Sequence, residues 1–132
     1  MEESSRNQPI QSEDAEQDEL TADYANNVNF AANVWDLKLL FGELSGTKPA
    51  IDWHTSITLP WAQSKLMAYY LDINIASHEA NYGTIHVPEV MLPPEPPTLP
   101  ESDKDKPHLQ DLVSHIKKRR EKLINSQKQA NG

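Results

Sequence analysis

Hydrophobic and polar residues alternate along three short stretches in the first half of the chain, and this period of two predicts β-strands. An apolar set of positions opposite a polar set is typical of an antiparallel meander with one buried face. The predicted inward positions are Val28, Phe30, Trp35, Leu37, Leu39, Phe41, Ile51, Trp53, Thr55, Ile57 and Leu59. We therefore expect Trp35 and Trp53 to pack in the core.

The period changes after the third strand, where a proline opens a helical pattern. Pro60 suits the first turn of a helix, because an N–H at that position would have no helical partner. The pattern continues to about Tyr82, and Gly83 follows where a left-handed residue commonly ends a helix. The sequence thus predicts one long helix directly after the strands, packed on one face of the sheet.

The predicted helix carries two apolar stripes, which is more than a single sheet face needs. The first stripe consists of Ala62, Leu66, Tyr69, Tyr70, Ile73, Ala76 and Ala80, and the second of Met67, Leu71, Ile75 and His78. Trp61, in the first turn, either fixes the helix start to the sheet or anchors a partner. We predict a partner or dimer contact at Trp61, Met67, Leu71 and Ile75.

Prolines crowd the segment from Pro88 to Pro100, which excludes a helix interior or a central strand there. Residues 89–106 are predicted to form a semi-rigid polyproline linker. A basic amphipathic helix is predicted at residues 107–126, and a disordered polar tail at residues 127–132. The basic block is either a solvated helix end or a polyanion contact, and it comprises Lys117, Lys118, Arg119, Arg120 and Lys122.

Composition changes this picture in one respect, the size of the folded part. Residues 1–22 are acidic with few large apolar side chains, so we predict a disordered tail. The chain has no cysteine, so it has neither disulfides nor thiolate metal sites. The β-β-β-α domain at residues 23–88 is therefore small and unstapled, and oligomerisation is a common remedy.

We predict an α+β fold: a small antiparallel β-meander of three strands, one long helix, and a separate C-terminal amphipathic helix. A homodimer is the expected assembly. The first residues lack the cationic start and apolar stretch of a secretory signal. No apolar run approaches the roughly 20 residues of a membrane span. The expected location is the cytoplasm.

Four separated blocks of the sequence carry a family resemblance. They are Tyr24 with Asn26, Phe41 with Gly42, Leu59 with Pro60, and Glu79 with Tyr82 and Gly83. In these blocks the region from about residue 24 to residue 88 resembles a bacterial and archaeal family of small uncharacterised proteins, the domain-of-unknown-function family numbered 3467. The resemblance implies the same strand–strand–strand–helix order and no particular activity. Both tails lie outside it.

Candidate catalytic and metal-binding groups are sparse. His54 shares the polar face of the third strand with Asp52 and Ser56, but alternate residues of a strand lie about 7 Å apart, too far for a relay. His78, Glu79 and His86 match no known metal-site spacing. A glycine-rich phosphate loop is also missing from the sequence. We expect no catalytic site, no bound metal and no cofactor.

Three functional hypotheses follow from these observations. The first is a non-enzymatic protein-interaction module that acts as a homodimer and has an unidentified protein partner. The alternative is a nucleic-acid-associated regulatory protein that uses the basic C-terminal helix, although the net charge of −8 counts against it. The second alternative is a small enzyme with a site on the strand face that carries Asp52 and His54.

Overall fold

In the part of the chain that the structure describes, three β-strands and two α-helices follow one another in the order that the hydrophobic pattern predicts, so the α+β fold is confirmed. The structure is a computed structural model that describes residue 20 and residues 22–131. Its elements are β1 (Asn27–Ala32), β2 (Asp36–Glu43), β3 (Asp52–Pro60), α1 (Trp61–Tyr82) and α2 (Pro107–Asn131), with single 3-10 turns at Glu89–Met91 and Glu101–Asp103. The disorder predicted for residues 1–22 falls almost entirely outside the described residues.

The described part of the chain divides into two compact units, with the boundary between residues 66 and 67. In the first unit, β1, β2 and β3 form an antiparallel sheet in that order. The turn from β1 to β2 is held by the side chain of Asn33, whose Oδ1 accepts hydrogen bonds from Trp35 N at 2.7 Å and Asp36 N at 2.9 Å. Asparagine is common in turns because its side chain can satisfy nearby backbone groups in this way.

The apolar face of this sheet is centred on Leu39, which lies opposite Phe30 on β1 and Ile57 on β3. Leu39 is 4% exposed, whereas Phe30 is 56% and Ile57 is 47% exposed. The alternation therefore identifies the correct face, but in the single chain only its centre is buried. The predicted packing of a helix on this face stays a prediction.

Both tryptophans that were predicted to pack in the core lie elsewhere. Trp35 precedes β2, in the turn that Asn33 organises, and it is 82% exposed. In β3 the register shifts so that Gly42 pairs with Trp53, which leaves His54 as the additional residue of a β-bulge. A bulge reverses the face of the residues beyond it. Trp53 consequently lies beside Gly42, on the face opposite Leu39.

Helix α1 begins at the residue after β3, with no connecting loop. The Ser64 hydroxyl donates to Pro60 O at 3.0 Å, and Trp61 Nε1 donates to Asn33 O at 2.9 Å. The other end of α1 is closed by Gly83, whose N–H donates to Glu79 O at 2.9 Å. Gly83 has φ +95°, so the predicted left-handed helix end is confirmed.

In the second unit a polyproline segment runs along helix α2. Pro88, Leu92 and Pro100 have φ between −57° and −66° and ψ between 141° and 154°, which are polyproline II values. Residues 93–99 line shallow grooves together with α2 side chains that include Val113, Ile116 and Leu123. The predicted linker is thus packed on a helix. Helix α2 runs to Asn131, beyond the predicted end at residue 126, so residues 127–131 are helical.

The two elements have matching lengths. At about 3.1 Å per residue, a polyproline run from residue 92 to residue 100 spans roughly 25 Å. At about 1.5 Å per residue, α2 from residue 107 to residue 123 spans roughly 24 Å. Because the two rises differ by a factor of about two, nine extended residues can cover nearly five helical turns.

Candidate functional site

Helix α1 presents a large exposed apolar surface. Its charged residues, Lys65, Asp72 and Glu79, recur every seven residues and so lie on one line along the helix. The large apolar side chains are distributed around the remaining circumference. Six of them are between 44% and 59% exposed, namely Leu66, Tyr69, Tyr70, Leu71, Ile73 and Ile75. A helix that is apolar on most of its circumference is typically enclosed by other elements.

We distinguish two stripes on α1, each named by its three large members. Stripe A consists of Leu66, Tyr69 and Ile73, and stripe B consists of Met67, Leu71 and Ile75. At 100° per residue the two stripes lie on opposite sides of the line of charges. Asn74 and Asn81 separate them on the far side of the helix. The helix therefore offers two apolar surfaces rather than one.

The four predicted contact residues differ from one another in their contacts and their exposure. The indole N–H of Trp61 donates a hydrogen bond to the β1–β2 turn, which agrees with one of the two roles predicted for this residue. Trp61 is 42% exposed. Met67 is half-buried, and Leu71 and Ile75 are exposed. All four therefore have apolar surface available for a partner.

Within the second unit, a groove of about 480 Å³ lies along the line of charges on α1. Its apolar lining includes Ile75 of stripe B, Ile85 and Leu123. Acidic and basic side chains also line it, from α1 and α2 respectively, and they are Asp72, Glu79, Arg119 and Lys122. Glu79 also accepts a hydrogen bond from Ile85 N at 2.9 Å, which fixes the segment after α1.

The predicted basic block is divided between different environments. Arg120 is turned toward the polyproline segment, where its Nε donates to Pro93 O at 3.0 Å and Nη1 lies 3.9 Å from Glu95 Oε1. The other four members are exposed on α2, and they are Lys117, Lys118, Arg119 and Lys122. Arg120 therefore has a structural contact that its place in a charge run did not indicate.

Gln127 has a structural role that the sequence does not reveal. It is 6% exposed, its Oε1 accepts from Val87 N at 2.7 Å, and its Nε2 donates to Ile85 O at 3.1 Å. One amide side chain thus satisfies two backbone groups of the extended segment before Pro88. The sequence predicts that Gln127 lies in a polar tail, because the residues adjacent to it are hydrophilic. No local pattern distinguishes it from them.

His54 contacts a different set of groups from the one its strand suggests. Its Nε2 lies 2.9 Å from Tyr24 O, and its Nδ1 lies 2.7 Å from Thr55 Oγ1. The Thr55 hydroxyl donates to Asp23 Oδ2 at 3.1 Å. His54, at the bulge, therefore fixes the chain that leads into β1. Asp52 and Ser56 are not among the hydrogen-bond partners of His54.

The described residues also bear on two other classes of site. In residue 20 and residues 22–131, no three His, Asp or Glu side chains come together in a way that could hold a metal ion. Over the same residues, neither α1 nor α2 has an apolar stretch long enough for a membrane span.

Comparison with known proteins gives a family and no function. Residues 1–87 match the family described as "Protein of unknown function (DUF3467)". The match begins at residue 1, so it includes the acidic N-terminal segment that the resemblance left out. No curated protein and no solved structure matches the chain.

Proposed function

The chain belongs to DUF3467, a family of unknown function, and from the surfaces it presents we propose that it is a non-enzymatic protein-interaction module that acts as a homodimer. One observation carries the proposal: α1 exposes stripe A and stripe B while the apolar face of the sheet is also half exposed. Monomeric proteins rarely leave contiguous apolar patches of this kind open.

Size supports the same proposal. The first unit has a single buried apolar residue among those described, Leu39. Small domains without disulfides or metals have too little buried surface to offset their chain entropy, and association of two chains supplies more. A second copy removes from water the surfaces that a single copy leaves half exposed.

Light scattering on the purified chain tests the homodimer. We expect a species of twice the 14.9 kDa chain mass at micromolar concentration. The double variant Leu71→Glu/Ile73→Glu places a charge on each stripe of α1, and it should be monomeric. Gln63→Glu adds a charge on the same helix away from both stripes and should remain dimeric. A well-folded wild-type monomer contradicts the proposal.

A nucleic-acid-associated role is the alternative proposal, and the exposed cations of α2 support it. Phosphate contacts by these side chains make affinity fall steeply as salt rises. Titration of the chain with duplex DNA and with single-stranded RNA at low salt tests it, with Lys117→Gln/Lys118→Gln as the variant. Binding that the variant leaves unchanged contradicts a role for the basic block, and so does the absence of binding.

An enzyme with a site on the Asp52/His54 strand face is the second alternative. Its test is a screen of the chain for hydrolase activity, with His54→Gln as the control. Both ring nitrogens of His54 are hydrogen-bonded, one to Thr55 Oγ1 and one to Tyr24 O, which favours a structural role for this side chain.

A further inference from the structure

The apolar face of the sheet is suited to one helix. Nine side chains point to it, and none is charged: Val28, Phe30, Ala32, Leu37, Leu39, Phe41, Thr55, Ile57 and Leu59. A sheet with one apolar face is normally stabilised by a second layer of secondary structure. A sheet of three strands presents about the width that a single helix can cover.

Stripe A of α1 matches that face in length and in chemistry. From Leu66 to Ile73 the stripe spans about 11 Å at 1.5 Å per residue. From Thr55 to Leu59, the part of β3 on this face, the distance is about 13 Å at 3.3 Å per residue. Stripe A has no charged member, and small residues at Ala62, Ala76 and Ala80 flank it, which lets a helix approach a sheet closely.

The direct connection between β3 and α1 opposes packing of the helix on the sheet of its own chain. Pro60 is the last residue of β3 and Trp61 is the first residue of α1. Strand-to-helix connections that reverse the chain over its own sheet usually use 2 to 6 residues, as a rough rule. The hydrogen bond from Trp61 Nε1 to Asn33 O further fixes the helix start at the β1–β2 turn.

Stripe A lies outside the groove of the second unit. Ile75 of stripe B lines that groove together with Ile85 and Leu123, whereas no member of stripe A lines it. Leu66, Tyr69 and Ile73 of stripe A are each at least 44% exposed. The sheet of the first unit has a half-exposed apolar face and α1 has a half-exposed stripe, so a second copy presents the complement of each.

We infer that in the homodimer stripe A of each protomer lies on the apolar sheet face of its partner, so that the two chains exchange their helices. This inference rests on the proposed homodimer and specifies its interface. The arrangement is reciprocal, so a two-fold axis closes it with no surface of this kind left over. The occupant of the sheet face is a second copy of this chain.

Crosslinking between single-cysteine variants tests the exchange, because the natural chain has no cysteine to interfere. Ile57→Cys lies at the centre of the sheet face and Ile73→Cys near the middle of stripe A. The two variants are purified separately, mixed to allow exchange of subunits, and treated with a short bismaleimide. We expect a crosslinked species of twice the chain mass in the mixture, formed about tenfold or more faster than with Leu71→Cys on stripe B in place of Ile73→Cys.

The remaining outcomes separate the two proposals. A double variant with both cysteines in one chain that crosslinks within the monomer, while the mixture does not crosslink, overturns the exchange. Rapid Ile73→Cys to Ile73→Cys crosslinking with no sheet-to-helix product overturns it too, yet leaves the homodimer intact. A wild-type chain that is monomeric by light scattering contradicts both the homodimer and the exchange of helices. Phe30→Cys with Leu66→Cys provides a second pair should either isoleucine variant fold poorly, which circular dichroism reveals.

Discussion

Each of the two units is stabilised internally by a different kind of interaction. In residues 22–66 the strands are joined by backbone hydrogen bonds in a register that runs from Asn27 to Pro60, while most apolar side chains remain half exposed. In residues 67–131 a helix and a polyproline segment have no backbone ladder in common. Arg120 joins them through its bond to Pro93 O, and Gln127 joins α2 to the segment before Pro88, in both cases from side chain to backbone. The first unit should therefore be sensitive to backbone register, and the second to a few polar side chains.

The largest effect should come from a methyl group at Gly42. A Cβ there would lie 2.7 Å from Ile51 Cγ2, 2.8 Å from Trp53 Cε3 and 2.9 Å from the backbone oxygen of Asp52. We expect Gly42→Ala to lower the free energy of unfolding by about 2–3 kcal/mol through overpacking. Urea denaturation at one fixed protein concentration measures it. Gly46→Ala is the matched control, because nothing lies within 4 Å of its Cβ, and equal losses in both variants would refute the explanation.

Removal of the Gln127 amide should have the next largest effect. Gln127→Leu keeps the helix and the apolar bulk but leaves Val87 N–H and Ile85 C=O without their partner. Unpaired buried backbone groups cost about 1–3 kcal/mol. Hydrogen exchange at the Val87 amide should accelerate, and α2 should lose stability in urea. Gln129→Leu, two residues further along the exposed side of α2, should change neither quantity; an unaltered Val87 amide in Gln127→Leu would argue against the contact.

A smaller effect is expected at Trp61. Trp61→Phe retains an aromatic ring but removes the hydrogen bond to Asn33 O together with part of the ring surface, for which we expect a loss of about 1 kcal/mol in the free energy of unfolding. Trp35→Phe is the natural comparison, because Trp35 is exposed in the neighbouring turn. It should alter stability by less than about 0.5 kcal/mol. If the two substitutions prove equal, the indole N–H contributes nothing to the start of α1.

The smallest effect should come from the ion pair of the second unit. Arg120 Nη1 and Glu95 Oε1 are 3.9 Å apart, and the Glu95 side chain is 83% exposed. Exposed pairs of this kind contribute about 0–1 kcal/mol and are screened by salt. Glu95→Gln should therefore change the unfolding midpoint little, and raising the salt concentration should not widen the difference. A large loss would show that the attachment of α2 depends on charge as well as on hydrogen bonds.

The sequence predicted the secondary-structure elements better than the contacts between them. Strand and helix order followed from the periods of two and 3.6, and Gly83 was recognisable because a left-handed helix end favours glycine. Trp35 and Trp53 were misplaced for a shared reason. Alternation assumes an unbroken strand, whereas the Asn33 turn and the His54 bulge each interrupt one, and the pairing with β2 that reveals the bulge is not a local property of β3.

The C-terminal half shows the same limit. The polyproline conformation was predictable, since proline fixes φ. That this segment lies along α2 depends on Val113, Ile116 and Leu123, which are distant in sequence from the prolines they accompany. Gln127 was unpredictable because its two partners are backbone groups 40 and 42 residues away, and backbone groups leave no signature in the sequence.

The bonds of Gln127 also bear on where this protein can be cut. Family similarity ends at residue 87, and a shortened version for expression or comparison would naturally stop there. Yet Ile85 and Val87, the final residues of that region, have their main-chain groups occupied by a side chain from far downstream. Truncation at the family boundary would leave both groups without the Gln127 amide, and only the bond from Ile85 N to Glu79 would still hold the segment after α1. For this chain, the limit of sequence similarity is therefore not a limit of the folded structure.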